Sequence, residues 1–189
     1  DVVYQRTIVV PPLSETQCAL LRFGSVTHRA EVYLNGAHIS THKGGFLPFE
    51  IDITEAAHAG ENLLTVIVNN VVDETTLPAG RIEERNIPGL PVETRNLPNF
   101  DFYNYGGIMR PVKLLVVPRR RIEDITIVAH ADGAFSYSVQ TTKPEGTIES
   151  TITDQSGRVL ASCTGNEATG KANDITPWSP MTPALYALH

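Results

Sequence analysis

The run EVYLNGAHIS at residues 31–40 decides the fold, because two short apolar segments flank a turn that few residue pairs can make. Asn35 and Gly36 both tolerate the positive φ angles of a type I′ turn, which is the preferred connection of a two-residue hairpin. The sequence therefore predicts a β-hairpin in which residues 30–34 pair with residues 37–40.

Similar short apolar runs, rich in β-branched residues, occur on both sides of this hairpin and are separated by turn residues. In the first part of the chain they are residues 7–10, 19–23, 30–34, 63–68 and 112–117. No stretch keeps the 3.6-residue periodicity of a helix, although residues 54–58 are compatible with one helical turn ended by Gly60. The predicted class is all-β, and strands this short and closely spaced favour a sandwich.

Two stretches interrupt the series of strands. Residues 72–100 contain four prolines and mixed charge, and loops of this length tend to be functional or disordered. Residues 118–121, PRRR, form a polar stop after an apolar strand, so we place a domain boundary after Pro118. A second series of strands follows at residues 122–129, 134–141, 146–153 and 159–162, with a hairpin turn at DQSG, residues 154–157.

Composition limits the classes of partner. The net charge of the 189 residues is −6, and the one basic run, residues 119–121, is interpreted as a solvated linker, so no nucleic-acid partner is expected. Apolar runs are far shorter than the roughly 20 residues of a membrane span, so no membrane partner is expected. His38 and His42 lie on a strand and a loop with no third ligand nearby, so neither a metal site nor a cofactor is expected.

Three ordered blocks resemble glycoside hydrolase family 2 over nearly the whole chain. The first is LRFGSVTHRAEVYLNG at residues 21–36, which continues through HKGGFLPFEIDIT at residues 42–54. The others are FDFYNYGGIMRPV at residues 100–112 and PWSP at residues 177–180, followed by PALYAL. Within the family, VTH, GGFLPFE and DFYNYGGI look most like the β-glucuronidases; a segment of a β-galactosidase or β-mannosidase is the alternative.

The resemblance implies a retaining enzyme of three parts: a jelly-roll sugar-binding-type domain, an immunoglobulin-like β-sandwich and a (β/α)8 barrel that carries both catalytic glutamates. This chain is expected to cover the jelly roll at residues 1–118, without its first strands, and the sandwich at residues 119–189, without its last. It then contains no catalytic residue. It is expected to pack on the barrel, to shape the cleft that binds a β-glucuronide, and to belong to a homo-oligomer.

Asp101 is the main candidate for substrate binding, because its matching residue in the resembling enzymes reaches the sugar and carboxylates accept hydrogen bonds from hydroxyls. Phe100 replaces a histidine that often precedes this aspartate, so the specificity pattern departs from the family's. Tyr103 and Asn104 are further candidates. The alternatives are that Tyr103 and Tyr105 pack in the core and that Asn104 holds the loop by side-chain-to-backbone hydrogen bonds.

The sequence supports three other functions less well: hydrolysis by this chain itself, a free-standing carbohydrate-binding module and a purely structural role. Retaining hydrolysis needs two carboxyl groups about 5–5.5 Å apart, whereas the adjacent Glu83 and Glu84 point to opposite faces of an extended segment. A free-standing carbohydrate-binding module requires the aromatic residues at 100–105 to form a flat exposed surface. A purely structural pair of sandwiches leaves Asp101 unexplained. Trp178, between two prolines, is expected to anchor the second domain to its neighbour.

Overall fold

The computed structural model describes residues 1–143 and 146–189, which form strands, turns and loops. No helix occurs among these described residues, so none crosses a membrane, and the all-β class is confirmed. The chain divides into two compact units, Asp1–Pro118 and Arg119–His189.

The strands of the first unit are short and closely spaced. They are β1 (Val2–Val10), β2 (Gln17–Phe23), β3 (Val26–Thr27), β4 (Arg29–Leu34), β5 (Ala37–Lys43), β6 (Phe49–Asp52), β7 (Gly60–Asn69), β8 (Gly80–Arg85), β9 (Glu93–Pro98), β10 (Gly107–Ile108) and β11 (Val112–Pro118). Those of the second unit are β12 (Ile122–Ala129), β13 (Ala134–Thr141), β14 (Glu149–Thr153), β15 (Val159–Thr164), β16 (Glu167–Lys171) and β17 (Ala187–Leu188).

Two antiparallel sheets form the body of the first unit, in the orders β1-β7-β4-β5 and β11-β2-β6. The short pair β10-β3 and the separate hairpin β8-β9 complete it. The predicted hairpin is confirmed, since β4 pairs with β5 and φ is +52° at Asn35 and +84° at Gly36.

The core of the first unit comes from the alternating inward side chains of both sheets. On β7 these are Leu64, Val66 and Val68. Phe23 of β2 is fully buried and stacks on Phe49, with ring centroids 4.8 Å apart. Burial of each such side chain contributes about 1.5–3 kcal/mol to the stability of the fold. The two packed sheets therefore hold the ends of the loops between their strands in place.

The second unit has two three-stranded sheets, β12-β13-β16 and β15-β14-β17, around a small core of Phe135, Tyr137 and Val139. The predicted turn after β14 is confirmed by a 3.0 Å hydrogen bond from the Gly157 amide to the Asp154 carbonyl. β14 begins at Glu149, later than the residue 146 predicted from sequence.

Two sequence predictions about the first unit differ in part from the structure. The single helical turn predicted at residues 54–58 is present, since the Ala57 amide donates to the Ile53 carbonyl at 2.8 Å, but Gly60 begins β7 rather than ending that turn. The predicted long loop at residues 72–100 contains the hairpin β8-β9, which is exposed along nearly its whole length.

Candidate functional site

The candidate site is the loop of residues 99–106, between β9 and β10, which we call the aromatic loop. Three of its aromatic side chains face solvent: Phe100 is 59%, Tyr103 76% and Tyr105 57% exposed. The expected core packing of Tyr103 and Tyr105 was therefore wrong for this chain. Both rings lie outside the core, where they can meet another molecule or another part of a larger protein.

Asn104 points inward and ties the aromatic loop to the rest of the first unit. Its Oδ1 lies 2.6 Å from Nε2 of His28, and its Nδ2 donates to the Asn70 carbonyl at 3.0 Å. The Asn70 side chain returns a bond from Nδ2 to the Asn104 carbonyl, at 3.3 Å. Both polar ends of the Asn104 amide are thus used inside the protein, and the geometry favours a positioning role over direct contact with substrate.

Thr27 at the end of β3 holds the next turn of the loop. Its buried hydroxyl lies 2.8 Å from the Tyr105 carbonyl and 3.3 Å from the Gly107 carbonyl. β3 also pairs with β10, so the C-terminal end of the aromatic loop is held by backbone and side chain together.

Two glycines allow the close approach of these segments. A Cβ atom on Gly45 would lie 2.7 Å from Nδ1 of His28, and one on Gly106 would lie 2.8 Å from the amide of Asn70. Real Cβ atoms do not come so near. Gly44 and Gly107 also have positive φ angles, of +142° and +110°, which favour glycine.

Asp101 lies near the start of the aromatic loop, and its side chain is exposed. Among the described residues, no hydrogen bond or ion pair engages its carboxylate. A carboxylate without internal partners keeps its full capacity to accept hydrogen bonds from a ligand.

The exposed aromatic rings do not form a flat platform. Phe100 and Phe102 are tilted by 54°, and Tyr103 and Tyr105 by 45° with ring centroids 4.7 Å apart. Phe102 also meets Phe46 edge to face at 6.0 Å, which ties that side of the loop to the segment after β5. The surface is therefore aromatic and uneven, with Asp101 at one end.

The segment that carries Asn70 is itself fixed by charge. Arg29 donates to the Val71 carbonyl at 2.9 Å and also pairs with Asp73. Hydrogen bonds from the hydroxyl and backbone amide of Thr75, with the Arg29 pair adding to them, lower the pKa of Asp73 to about 2. Asp73 is thus a stable anion that fastens the chain beyond β7, next to the aromatic loop.

The adjacent Glu83 and Glu84 lie on the exposed hairpin, on β8. Glu83 forms an ion pair with Arg81 at 2.6 Å on the exposed hairpin, and Glu84 follows on the opposite strand face. Within the described residues, no group of three or more histidine, cysteine, aspartate or glutamate side chains could hold a metal ion.

The family model for the sugar-binding domain of glycosyl hydrolases family 2 matches residues 1–118. The chain belongs to glycosyl hydrolase family 2. A β-glucuronidase from Paenibacillus borealis is 40% identical over 194 residues, which cover 100% of this chain and 33% of that protein. The predicted resemblance to the family and to its β-glucuronidases is confirmed.

Solved structures of β-glucuronidases agree. The Faecalibacterium prausnitzii β-glucuronidase superimposes with a TM-score of 0.83 at 40% identity, over 99% of this chain and 34% of that one. A Bifidobacterium dentium β-glucuronidase, solved with coumarin-3-O-glucuronide, gives a TM-score of 0.80 at 36% identity. The match covers 97% of this chain and 35% of that one. The chain spans about a third of the length of the curated relatives it matches.

The sequence pointed to Asp101, Tyr103 and Asn104 but not to the residues behind them. His28 and Thr27 entered only as part of the VTH motif, and Asn70 not at all. The one available signal was the polar pair Thr27-His28 between two predicted strands, because buried polar side chains normally have specific partners.

Proposed function

We propose that this chain is the non-catalytic N-terminal segment of a β-glucuronidase-type hydrolase and that its aromatic loop takes part in recognising the sugar. The observation that carries the proposal is the division of the loop into two sides. Asn104 is tied inward to the sandwich, while Asp101 and Tyr103 face outward with their binding capacity unused.

The chemistry of the outward side suits a sugar. The Asp101 carboxylate accepts hydrogen bonds from ring hydroxyls, and the Tyr103 ring offers an apolar face with a polar tip. The pair of catalytic carboxyl groups comes from a (β/α)8 barrel of the same enzyme, against which this segment packs. The aromatic loop then forms part of one wall of the cleft, and the complete enzyme assembles as a homo-oligomer.

Asp101→Ala in the complete enzyme tests the substrate contact. Loss of a hydrogen bond to a charged group is worth about 1.5–3 kcal/mol, so we expect kcat/KM on an aryl β-glucuronide to fall roughly 10- to 150-fold. Glu84→Ala, on the exposed hairpin, is the matched control and should leave the rate unchanged. A kcat/KM for Asp101→Ala equal to that of the control contradicts the proposed contact.

A free-standing carbohydrate-binding module is the second candidate. The exposure of Phe100, Tyr103 and Tyr105 favours it, whereas the 54° and 45° tilts between the rings depart from the flat surface that it requires. Titration calorimetry of the 189-residue chain with glucuronic acid, beside a chromogenic β-glucuronide assay, separates the two. Absence of both binding and turnover supports the accessory segment. Binding without turnover supports the module, and turnover by the purified chain contradicts both.

A further inference from the structure

His28 is almost completely buried, at 1% exposure, although it lies directly behind an exposed loop. We propose that His28 is a positioning residue for sugar recognition: through a single hydrogen bond to Asn104 it fixes the aromatic loop and so places Asp101 and Tyr103. The kinetic consequence rests on the proposed function, whereas the effect on the loop does not.

The hydrogen-bond pattern determines which atom donates. The Asn70 carbonyl accepts a bond, so it must face the NH2 group of Asn104, and the amide oxygen of Asn104 therefore faces His28. The reverse orientation would set two acceptors, the Asn104 oxygen and the Asn70 carbonyl, against each other. Nε2 of His28 must then carry the proton and donate it to Asn104, which leaves Nδ1 with a lone pair in the neutral ring.

The other ring nitrogen has no role that competes with this one. Nδ1 is buried without a hydrogen-bond partner among the described residues. Gly45 packs against that edge so closely that any side chain there would overlap the ring. Nε2 of His28 thus donates to Asn104 alone, and the ring is also held edge to face against Phe46 at 5.8 Å.

Asn104 passes this constraint to its neighbours in the loop. Its side chain is held by His28 and Asn70, and its carbonyl is held by Asn70, so the backbone at residue 104 is fixed from both sides. Tyr103 precedes it directly and Asp101 lies three residues before it. Without the bond from His28 the loop keeps its sequence and exposure but loses one of its inner anchors, and preorganised groups bind better than mobile ones.

Two substitutions of His28 separate positioning from simple core packing. His28→Gln keeps an amide N–H at about the distance of Nε2, so it can still donate to Asn104. His28→Asn is polar as well but too short to reach. Asn104→Ala removes the same bond from the other side, together with the bond from Asn104 Nδ2 to the Asn70 carbonyl, and leaves the buried histidine in place.

Hydrogen exchange of the 189-residue chain, read by mass spectrometry, tests the structural part. We expect faster amide exchange across residues 99–106 in His28→Asn and in Asn104→Ala, near-normal exchange in His28→Gln, and unchanged exchange in β4 and β7. The inference is overturned if the loop exchanges normally in both bond-deleting variants. It is also overturned if exchange in His28→Asn rises equally in β4 and β7, since that indicates a general loss of packing.

Kinetics of the complete enzyme test the functional part. We expect His28→Asn to lower kcat/KM on an aryl β-glucuronide by roughly 10- to 100-fold, because small displacements of positioning groups have effects of this size, and His28→Gln to recover most of it. In a background carrying Asp101→Ala and Tyr103→Ala, His28→Asn should cause no further loss. A full additional loss there shows that His28 acts by another route and overturns the positioning role.

The two hypotheses fail in different ways. If Asp101→Ala has no effect on the rate, the proposed function fails, and the exchange experiment alone still decides whether His28 orders the loop. If Asp101→Ala lowers the rate but His28→Asn does not, the proposed function stands and the positioning role of His28 is overturned.

Discussion

Replacing Thr27 with valine removes one buried hydroxyl and keeps the shape of the side chain. The hydroxyl serves the carbonyls of Tyr105 and Gly107 at 2.8 and 3.3 Å, and Thr27 is fully buried. The hydroxyl carries one proton, which the two carbonyls share, so its removal leaves a buried carbonyl acceptor without this donor and should lower the free energy of unfolding of the first unit by about 1–3 kcal/mol.

The two cysteines allow each unit to be followed separately. Cys18, on β2, is 2% exposed and lies in the first unit, whereas Cys163, on β15, lies in the second. Pulse labelling of the Cys18 thiol across a urea gradient therefore reports opening of the first unit. With m of about 1–3 kcal/mol/M, the labelling midpoint should fall by roughly 0.5–2 M, while the Cys163 midpoint stays constant.

Thr41→Val is the matched control, because it removes an exposed hydroxyl that bonds to Glu31 at 3.2 Å. Surface changes of this kind are usually within about 0.5 kcal/mol. If the Cys18 midpoint of Thr27→Val is the same as that of Thr41→Val, then the hydroxyl of Thr27 does not hold the aromatic loop to the sandwich, and the reasoning is wrong.

Two further predictions concern other parts of the first unit. Gly36→Ala should destabilise it by about 1–2 kcal/mol through backbone strain at φ +84° alone, since no atom lies within 4 Å of the added Cβ; the same Cys18 labelling measures this, and an unchanged midpoint contradicts it. The pKa of Asp73 lies at about 2, below its usual 3.8, so the charged group stabilises fully above pH 4 and loses its effect as the pH falls to about 2. The deficit of Asp73→Asn in urea titrations followed by circular dichroism should therefore shrink between pH 4 and 2, and a constant deficit refutes the charge effect.

The local parts of the fold could be predicted from sequence because neighbouring residues determine them. Asn35 and Gly36 adopt the backbone angles that their own chemistry allows, and the turn at residues 154–157 closes through its own Asp154. The hairpin β8-β9 could not be found in this way. Nearly all of its side chains are exposed, so there is no buried face to impose an alternating pattern.

The site could be predicted only in part, because some of its contacts join residues that are far apart in the sequence. Asp101 and Asn104 stand in a recognisable block, but the partner of Asn104 lies 76 residues earlier, at His28. That contact exists only because the sandwich brings the start of β4 beside the aromatic loop. The expectation that Tyr103 packs in the core followed from the apolar ring alone, and loop geometry outweighed it.

The separate hairpin β8-β9 is a part of the first unit where the length of the chain can change. Its strands bond to each other, and at its tip Gly89 has φ +84° with no atom within 4 Å of an added Cβ. A peptide tag inserted at Gly89 would extend into open solvent and leave both sheets of the first unit as they are. The tip of this hairpin is therefore where the chain can lengthen or shorten while the residues beneath the aromatic loop keep their contacts.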